Sequence, residues 1–335
     1  MILTLASRPL ALSVLLYATI GLSAAFLAYI FLLGLQLFRY ATRRQEKDRE
    51  ISRAGASQTI LDLVETMKGK NRELFGRPHD RLQMKREGLT LAAAYFPAEE
   101  NDTKGKKQGC AVVVHGWRDS HVARSASALD YLAGGYSVLM PVLRGHGESQ
   151  GARIDLGCQH YRDLFAWMDE IRKREDAPDY FILDGLSMGA STVLMASGDP
   201  GLPPDVLAVL ADCGYSSLLE EGRWITRGMG KLTRKPAFAV TLFLFWLVMG
   251  YRLHDATPLG QVARASCPIF IIHGKEDNFV PTVMGEELFA AASSPMKELW
   301  LVEGAGHAMS EWEAGALYWQ RKEDFLQKVW DSRKL

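Results

Sequence analysis

One turn between a short apolar run and an alanine-rich run constrains the fold of this chain more than any other segment. Residues 180–183 predict a buried strand, and residues 190–196 predict a helix. Between them Gly185, Ser187 and Gly189 form the pattern G-x-S-x-G. A serine on such a strand-to-helix turn is held above the sheet edge beside a helix N-terminus, where backbone N–H groups can receive negative charge. The pattern predicts that Ser187 is a nucleophile; the alternative is a glycine-rich turn with a bystander serine.

Apolar runs recur along the chain from residue 82 onward, and helical patterns lie between most of them. The runs beyond residue 108 are apolar throughout, which is typical of strands in a parallel sheet that is covered on both faces. We therefore predict an α/β fold with a mostly parallel central sheet and a closing helix at residues 313–330. The predicted strands are residues 82–86, 89–96, 110–114, 136–142, 180–183, 206–211, 268–272 and 299–302.

Two candidates for the acid and the base follow Ser187 in the sequence. Asp277 and His307 each come after the C-terminal end of a predicted strand, which is where parallel sheets place their sites. The order Ser, Asp, His is also the chain order of the triad in one α/β fold. We predict that His307 takes the serine proton and that Asp277 orients the imidazole. The alternatives are a loop histidine, a turn-forming carboxylate at 277, and Glu276 as the acid.

An oxyanion needs two backbone donors close to the nucleophile. One predicted donor is the N–H of Met188, the residue after Ser187. The other is the N–H of Trp117, in the loop after the strand at residues 110–114, where Gly116 allows a close backbone approach.

Three further histidines are predicted to have structural roles. His115 and His273 end strands, and His146 lies in a glycine-rich loop where its ring could brace the backbone. None of them has metal-ligand spacing, and the glycines of the serine turn do not match a dinucleotide-binding loop. We predict that no cofactor is required.

Residues 9–38 contain no charged side chain, and a helix needs only ~20 residues to cross a bilayer. A cleaved signal peptide is the rival prediction, but the run is too long and no small-x-small cleavage site follows it. We predict an uncleaved single-pass membrane anchor. Six cations follow the run and only Arg8 precedes it, which predicts that the rest of the chain faces the cytoplasm. The six are Arg39, Arg43, Arg44, Lys47, Arg49 and Arg53.

Changes in composition predict the other boundaries. Residues 1–40 are the anchor, and residues 41–80 are a charged stalk, which we predict to be a helix packed on the body or the membrane surface. Upstream of Ser57 a solvated linker is the alternative. Residues 81–335 are the catalytic domain, with a lid insertion at about 215–258. Its bulky apolar stretch, residues 236–250, predicts a buried helix that lines an apolar pocket or rests on the bilayer. A transmembrane hairpin is the alternative.

Charge and cysteine content exclude some classes of protein. The chain has 39 Lys and Arg against 39 Asp and Glu, so nothing indicates a nucleic-acid surface. The four cysteines, Cys110, Cys158, Cys213 and Cys267, are far apart and lack zinc-site spacing. We predict buried free thiols rather than a disulfide framework, which favours a reducing compartment.

Taken together, the motifs from about residue 82 to residue 330 resemble the α/β-hydrolase superfamily. Within it the chain is most similar to bacterial membrane-anchored serine hydrolases of the serine aminopeptidase and monoacylglycerol-lipase-like branch. Asp184 departs from the resemblance, since a histidine often precedes the serine turn there. The motifs that carry the resemblance are His115-Gly-Trp117, Arg144-Gly-His-Gly-Glu-Ser149, Gly185-Leu-Ser-Met-Gly189, Asp212-Cys-Gly-Tyr-Ser216, His273-Gly-Lys-Glu-Asp277 and Gly304-Ala-Gly-His307.

The resemblance implies the α/β-hydrolase fold, acyl-enzyme chemistry at Ser187 and a place in a bacterial cell membrane. The first hypothesis is a serine hydrolase of the carboxylesterase or lipase type; the lid and the anchor suggest a hydrophobic or lipid-like acyl substrate. The second is a peptidase or aminopeptidase that cleaves an amide with the same triad. The third is a membrane-anchored scaffold without activity. An epoxide hydrolase or dehalogenase is disfavoured, because it would need an aspartate in place of Ser187.

Overall fold

The computed structural model describes residues 7–44, 58–98, 108–157, 160–255 and 257–333 of the 335-residue chain. Residues 45–57 of the predicted stalk lie outside the described residues, as does Cys158. The cations Lys47, Arg49 and Arg53 of the predicted cytoplasmic flank fall in the same undescribed stretch.

One eight-stranded sheet forms the centre of the described part of the chain, in the order β1-β2-β4-β3-β5-β6-β7-β8. Strand β2 pairs antiparallel with β1 and with β4, and every later pairing is parallel. All eight predicted strands are present, so the predicted fold class is confirmed. The strands are β1 (Asp80–Arg86), β2 (Leu89–Phe96), β3 (Gly109–Val114), β4 (Ser137–Pro141), β5 (Tyr180–Leu186), β6 (Val206–Asp212), β7 (Ile269–Gly274) and β8 (Lys297–Val302).

Helices connect the parallel strands, and β3, β6 and β7 are buried along their whole length. Strands buried on both faces must be apolar, which explains the continuous apolar runs. The helices are α1 (Ser7–Thr42), α2 (Gln58–Phe75), α3 (Ser125–Ala133), α4 (His160–Ile171), α5 (Met188–Ser197), α6 (Leu218–Ile225), α7 (Lys231–Leu244), α8 (Pro258–Val262), α9 (Thr282–Ala291), α10 (Ser310–Ala314) and α11 (Ala316–Arg333).

The closing helix differs from its prediction. A single helix at residues 313–330 was expected, but the structure has α10 and then α11, separated by Gly315 with φ 54°. Glycine adopts this positive φ readily, so the chain can turn there before α11 packs on the sheet. The ring of Phe325 in α11 stacks on Phe270 of β7, with centroids 5.2 Å apart.

The chain divides into two compact units. The first contains residues 1–42 and 223–253, and the second contains residues 43–222 and 254–335. The whole sheet belongs to the second unit. The predicted lid helix, by contrast, is grouped with α1 in the first unit, and its assignment as a lid stays a prediction.

Within the first unit, α1 and α7 pack side by side and run in the same direction. Gly34 of α1 lies against Val240, and its carbonyl accepts a hydrogen bond from the Thr241 hydroxyl at 3.1 Å. Further along both helices, the ring of Phe38 meets the ring of Phe245 edge-on at 5.2 Å. Small residues allow two helices to approach closely, as Gly34 does here.

The helical segment from Lys231 to Met249, which ends in a π-helical turn, is not the buried helix that its composition predicts. Thr241 and Phe245 are buried, but Trp246 and Leu247 are 51% and 60% exposed. This prediction is therefore wrong for one face of the helix. By length and composition, both α1 and this segment could cross a membrane.

We expect Gly34→Leu to loosen the α1–α7 pair. A Cβ at residue 34 would lie 2.6 Å from the Ala237 carbonyl oxygen and 2.6 Å from the Val240 Cβ. Such overpacking costs about 1–3 kcal/mol. Trypsin should then cleave the basic segment before α7 several times faster in the full-length protein in lipid nanodiscs. Gly21→Leu is the matched control, since nothing lies within 4 Å of a Cβ there; equal cleavage rates in the two variants would contradict the prediction.

The second unit begins with two arginines that hold the chain to the body of the fold. Arg43 forms a β-bridge with Arg153. The Arg44 guanidinium donates hydrogen bonds to the carbonyls of Ser149 at 2.8 Å, Gly151 at 3.0 Å and Gly147 at 3.0 Å. The glycine-rich loop after β4 is therefore closed by a side chain more than 100 residues away in the sequence.

Helix α2 also packs on the body, through its last turn. Leu74 is fully buried, and the ring of Phe75 meets the ring of Phe96 in β2 at 5.4 Å. The described end of the predicted stalk is therefore a packed helix.

Candidate active site

Ser187 lies on a strained turn between β5 and α5. Its φ of 56° and ψ of −118° are rare for a residue with a side chain. A Cβ at Gly185 would clash with the Gly189 carbonyl, and a Cβ at Gly189 would clash with the Val114 carbonyl. Both glycines are therefore needed for the turn to close. A neighbouring strand also stabilises this strained conformation, because the Ser187 N–H donates a hydrogen bond to the Asp212 carbonyl of β6 at 2.8 Å.

The three predicted triad residues form one continuous chain of hydrogen bonds. The Ser187 hydroxyl lies 2.9 Å from His307 Nε2. On the other side of the ring, His307 Nδ1 lies 2.7 Å from Asp277 Oδ2. Asp277 follows β7, and His307 follows β8, so the sheet order brings them to the same edge as the turn after β5. This arrangement can pass a proton from the serine to the imidazole and stabilise the imidazolium that results.

The carboxylate of Asp277 is buried, and hydrogen bonds hold both of its oxygens. Its Oδ1 accepts hydrogen bonds from the N–H groups of Phe279 and Val280, both at 2.9 Å. Burial alone would raise the pKa of Asp277, but hydrogen bonds from His273 and His307 outweigh it and lower this pKa to about 2. Asp277 is therefore ionised at neutral pH. The alternative acid, Glu276, is exposed.

Both predicted oxyanion residues belong to segments that adjoin the nucleophile. Met188 is the first residue of α5, where the N–H groups lack partners inside the helix. Trp117 follows Gly116, and a Cβ at Gly116 would be 3.4 Å from the Ser187 Cβ. The loop after β3 therefore passes beside the serine, which is where a second donor must come from.

His115 and His146 hydrogen-bond to the backbone, which agrees with the structural roles predicted for them. His115 Nε2 accepts a hydrogen bond from the Leu143 N–H at 3.1 Å, and His146 Nε2 accepts one from the Arg118 N–H at 3.2 Å. Their Nδ1 atoms face the carbonyls of Gly116 and Arg144. Because a backbone N–H must donate, both rings are neutral, with the proton on Nδ1. His273 is buried too, and its Nε2 donates to the Val280 carbonyl at 3.0 Å.

The sequence did not indicate that a thiol, that of Cys213, lies beside the triad. Ligand atoms of Cys213, Asp277 and His307 all lie within 4.8 Å of one another, so these three could hold a metal ion. Asp277 and His307, however, already bond to each other. Burial, together with the nearby charges of Asp212 and Asp277, raises the pKa of the Cys213 thiol well above its usual value. Cys213 is therefore a neutral neighbour of the triad.

Sequence reasoning also missed a network of buried charges beneath the nucleophile strand. Asp184 in β5 accepts hydrogen bonds from Arg124 at 3.0 Å, Tyr131 at 2.8 Å and Lys322 at 2.7 Å. Arg124, Asp184 and Lys322 are each about 1% exposed. Burial alone would raise the pKa of Asp184, but the charges of Lys322 and Arg124 lower it overall. The only sequence signal was a carboxylate inside an otherwise apolar strand.

A second buried carboxylate connects the nucleophile to the histidine loop. Asp212 at the end of β6 accepts hydrogen bonds from Ser310 at 2.9 Å and Tyr318 at 3.0 Å. Ser310 comes three residues after His307, and the Asp212 carbonyl holds the Ser187 N–H. Burial raises the pKa of the Asp212 carboxyl. One residue therefore fixes the backbone of the serine and the loop that carries the imidazole.

Comparison with known proteins now decides the family. A model of the Alpha/beta hydrolase family matches residues 111–317, which is more than half of the chain and includes the serine, the acid and the histidine. The chain belongs to the α/β hydrolase family. This finding supports a hydrolase.

Relatives in sequence carry little functional information. The uncharacterized protein YqkD of Bacillus subtilis (strain 168) is 27% identical over 198 residues, which cover 59% of this chain and 64% of that protein. The chain thus spans less than two thirds of the length of this relative. The Alpha/beta hydrolase domain-containing protein 17B of Homo sapiens is 35% identical over 75 residues, or 22% of this chain and 25% of that protein.

Solved structures agree with the fold. The Pyrococcus furiosus esterase Pf2001 superposes with a TM-score of 0.60 at 18% identity, covering 85% of this chain and 98% of that one. The acylaminoacyl peptidase of Pyrococcus horikoshii gives a TM-score of 0.54 at 16% identity, covering 77% of this chain and 42% of that one. At these identities the likeness concerns the fold alone.

Proposed function

We propose that this α/β hydrolase is a serine hydrolase that cleaves an ester or related acyl bond through an acyl-enzyme. The observation that carries the proposal is the unbroken hydrogen-bond chain from Ser187 through His307 to Asp277, on a turn whose strain is maintained by its surroundings. A serine without a catalytic role would not require a strained backbone with a positive φ or a glycine two residues to either side. It would also not require a histidine that is hydrogen-bonded to a buried carboxylate.

The mechanism follows from the positions of these atoms. Ser187 Oγ attacks the carbonyl carbon while His307 Nε2 takes its proton, and Asp277 stabilises the imidazolium. The N–H groups of Met188 and Trp117 stabilise the oxyanion of the tetrahedral intermediate. His307 then protonates the leaving alcohol as the carbonyl re-forms and the C–O bond breaks, which leaves the acyl-enzyme. Water, deprotonated by His307, repeats the sequence in reverse and releases the acid.

The proposed substrate is a hydrophobic or lipid-like acyl compound, held close to a membrane by α1. The described side chains of α1 from Leu12 to Tyr29 are all exposed, and this segment is about 27 Å long at ~1.5 Å per residue. It therefore suits the ~30 Å hydrocarbon core of a bilayer. Arg39, Arg43 and Arg44 follow its C-terminal end, so we propose a cytoplasmic catalytic domain.

The test is labelling of the full-length protein with a fluorophosphonate, which reacts with an activated serine and needs no knowledge of the substrate. We expect labelling of the wild type, and loss of more than about 95% of it in Ser187→Ala and His307→Ala. Ser332→Ala is the control, since that hydroxyl donates to the Val329 carbonyl within α11, which follows the last strand of the sheet. A folded wild type that takes no label would point to the scaffold hypothesis. Hydrolysis of amide but not ester substrates by a labelled enzyme would favour the peptidase.

A further inference from the structure

The charges of this chain are divided unequally between its two units. The first unit, residues 1–42 and 223–253, contains eight of the 39 Lys and Arg and none of the 39 Asp and Glu. Its formal side-chain charge is therefore +8, while the second unit carries −8 although the whole chain is neutral. Six of the eight cations belong to the insertion at residues 223–253. A segment that is both apolar and purely cationic matches the chemistry of an anionic lipid surface.

The direction of α7 excludes a second membrane crossing. The chain leaves the second unit at Gly222, and α7 begins at Lys231, so eight residues connect them. Helix α7 then runs parallel to α1, whose C-terminal residue, Thr42, is followed directly by the second unit. To span the bilayer, the chain would first have to cross it within those eight residues. Even fully extended they reach only about 26 Å, against the ~30 Å hydrocarbon core, and α6 keeps the first three helical.

The register between the two helices places the cations of α7 at a definite height along α1. Gly34 lies beside Val240, and Phe38 lies beside Phe245. At ~3.6 residues per turn, the same register brings Lys235, about one and a half turns nearer the N-termini, beside the turn of α1 that precedes Ile30, and Lys231 about one turn further along. There the exposure of α1 changes, because the residues from 12 to 29 are exposed whereas Ile30 is 4% exposed.

The cations at this height are available to a ligand. Lys231 and Lys235 are exposed, Arg234 is partly exposed, and no ion pair joins any of the three to a carboxylate within the described ranges. Arg227 is also exposed, and its guanidinium lies 3.7 Å above the ring of Trp224. Tryptophan and arginine together are typical of a segment that lies at the membrane interface.

We propose that Arg227, Lys231, Arg234 and Lys235, here called the basic collar, bind the phosphate headgroups of anionic phospholipids in the bilayer that holds α1. The proposal rests on the membrane anchoring proposed above. It makes the insertion an interfacial element that contacts lipid headgroups without crossing the membrane. It also sets the membrane boundary near Tyr29, so that residues 12–29 are the spanning part of α1 and Ile30–Thr42 is the part that pairs with α7.

Photo-crosslinking in lipid nanodiscs tests the collar in the full-length protein. Leu232 lies between the collar cations, is 84% exposed and can be replaced by p-benzoylphenylalanine. The nanodiscs contain equal amounts of phosphatidylglycerol and phosphatidylcholine, and mass spectrometry identifies the crosslinked molecule. The same photoreactive residue at Leu22 of α1 reports on the spanning part, and at Val283 of α9 it reports on an exposed apolar site of the catalytic unit.

We expect adducts at residue 232 to contain phosphatidylglycerol at least about threefold more often than phosphatidylcholine. The triple variant Lys231→Gln, Arg234→Gln, Lys235→Gln should bring this ratio close to one. The matched control, Lys68→Gln, Lys173→Gln, Lys328→Gln, removes three exposed cations of the second unit and should leave the ratio unchanged.

Three outcomes would overturn the proposal. A ratio near one at residue 232 in the wild type shows that the cations do not select headgroups. Adducts with protein instead of lipid show that residue 232 faces a protein surface and not the lipid headgroups. If Leu22 gives no lipid adducts, the anchoring on which the collar rests is itself wrong. Fluorophosphonate labelling of the same samples reports separately on the proposed activity, so failure of the collar and failure of the hydrolase are distinguishable.

Discussion

Replacing Asp277 with asparagine is expected to lower kcat for a p-nitrophenyl ester by about 10⁴-fold, with little change in KM. The reason lies in the hydrogen bonds around this side chain. Oδ1 accepts from the N–H groups of Phe279 and Val280, so an asparagine must keep its carbonyl oxygen there. Its NH2 group then faces His307 Nδ1, which is forced to accept. The proton moves to Nε2, and the ring can no longer take the proton of Ser187.

Glu276→Gln is the matched control, because it removes an adjacent and exposed carboxylate. We expect it to change kcat by less than about twofold. Since the pKa of Asp277 is lowered to about 2, this group is ionised throughout the working range, and the defect of Asp277→Asn should persist from about pH 5 to about pH 8. A loss of less than tenfold, or an equal loss in both variants, would show that Asp277 does not orient the histidine.

Replacing Asp184 with alanine should destabilise the catalytic unit by about 3–5 kcal/mol. The substitution leaves Arg124 and Lys322 buried without the carboxylate that both contact, at 3.0 Å and 2.7 Å. Burying an uncompensated charge costs more than the net contribution of the intact pair, because water is no longer available to solvate it. Thermal or urea unfolding of the full-length protein in detergent, followed by the near-ultraviolet signal of its tryptophans, measures the loss.

Two further variants make this result specific to the buried charges. Asp324→Ala removes an exposed acid from α11 and should change stability by less than about 0.5 kcal/mol. Adding Lys322→Met to Asp184→Ala removes one of the stranded cations and should recover part of the loss, which a double-mutant cycle would report as coupling. A drop below about 1 kcal/mol for Asp184→Ala alone would show that water or rearrangement solvates the network.

Much of the fold and the candidate site was predictable because the signals are local in the sequence. A strand buried on both faces must be apolar along its length, so β3, β5, β6 and β7 are visible as continuous runs. The turn at Ser187 needs glycine two residues to either side for backbone reasons that a motif preserves. Parallel strands bring their carboxyl ends to one edge, and this placed Asp277 and His307 beside the serine from chain order alone.

The sequence by itself therefore determined the α/β architecture and the residues of the candidate triad. Only the tertiary structure decided which distant groups hold them: Lys322 against Asp184, Ser310 against Asp212, and Arg44 on the loop after β4. The composition of the insertion had predicted a lid. The tertiary structure instead grouped the insertion with α1, which it contacts at Gly34. The physical reason is that a buried charge or a close helix contact needs a partner, and nothing local in the chain specifies which distant residue supplies it.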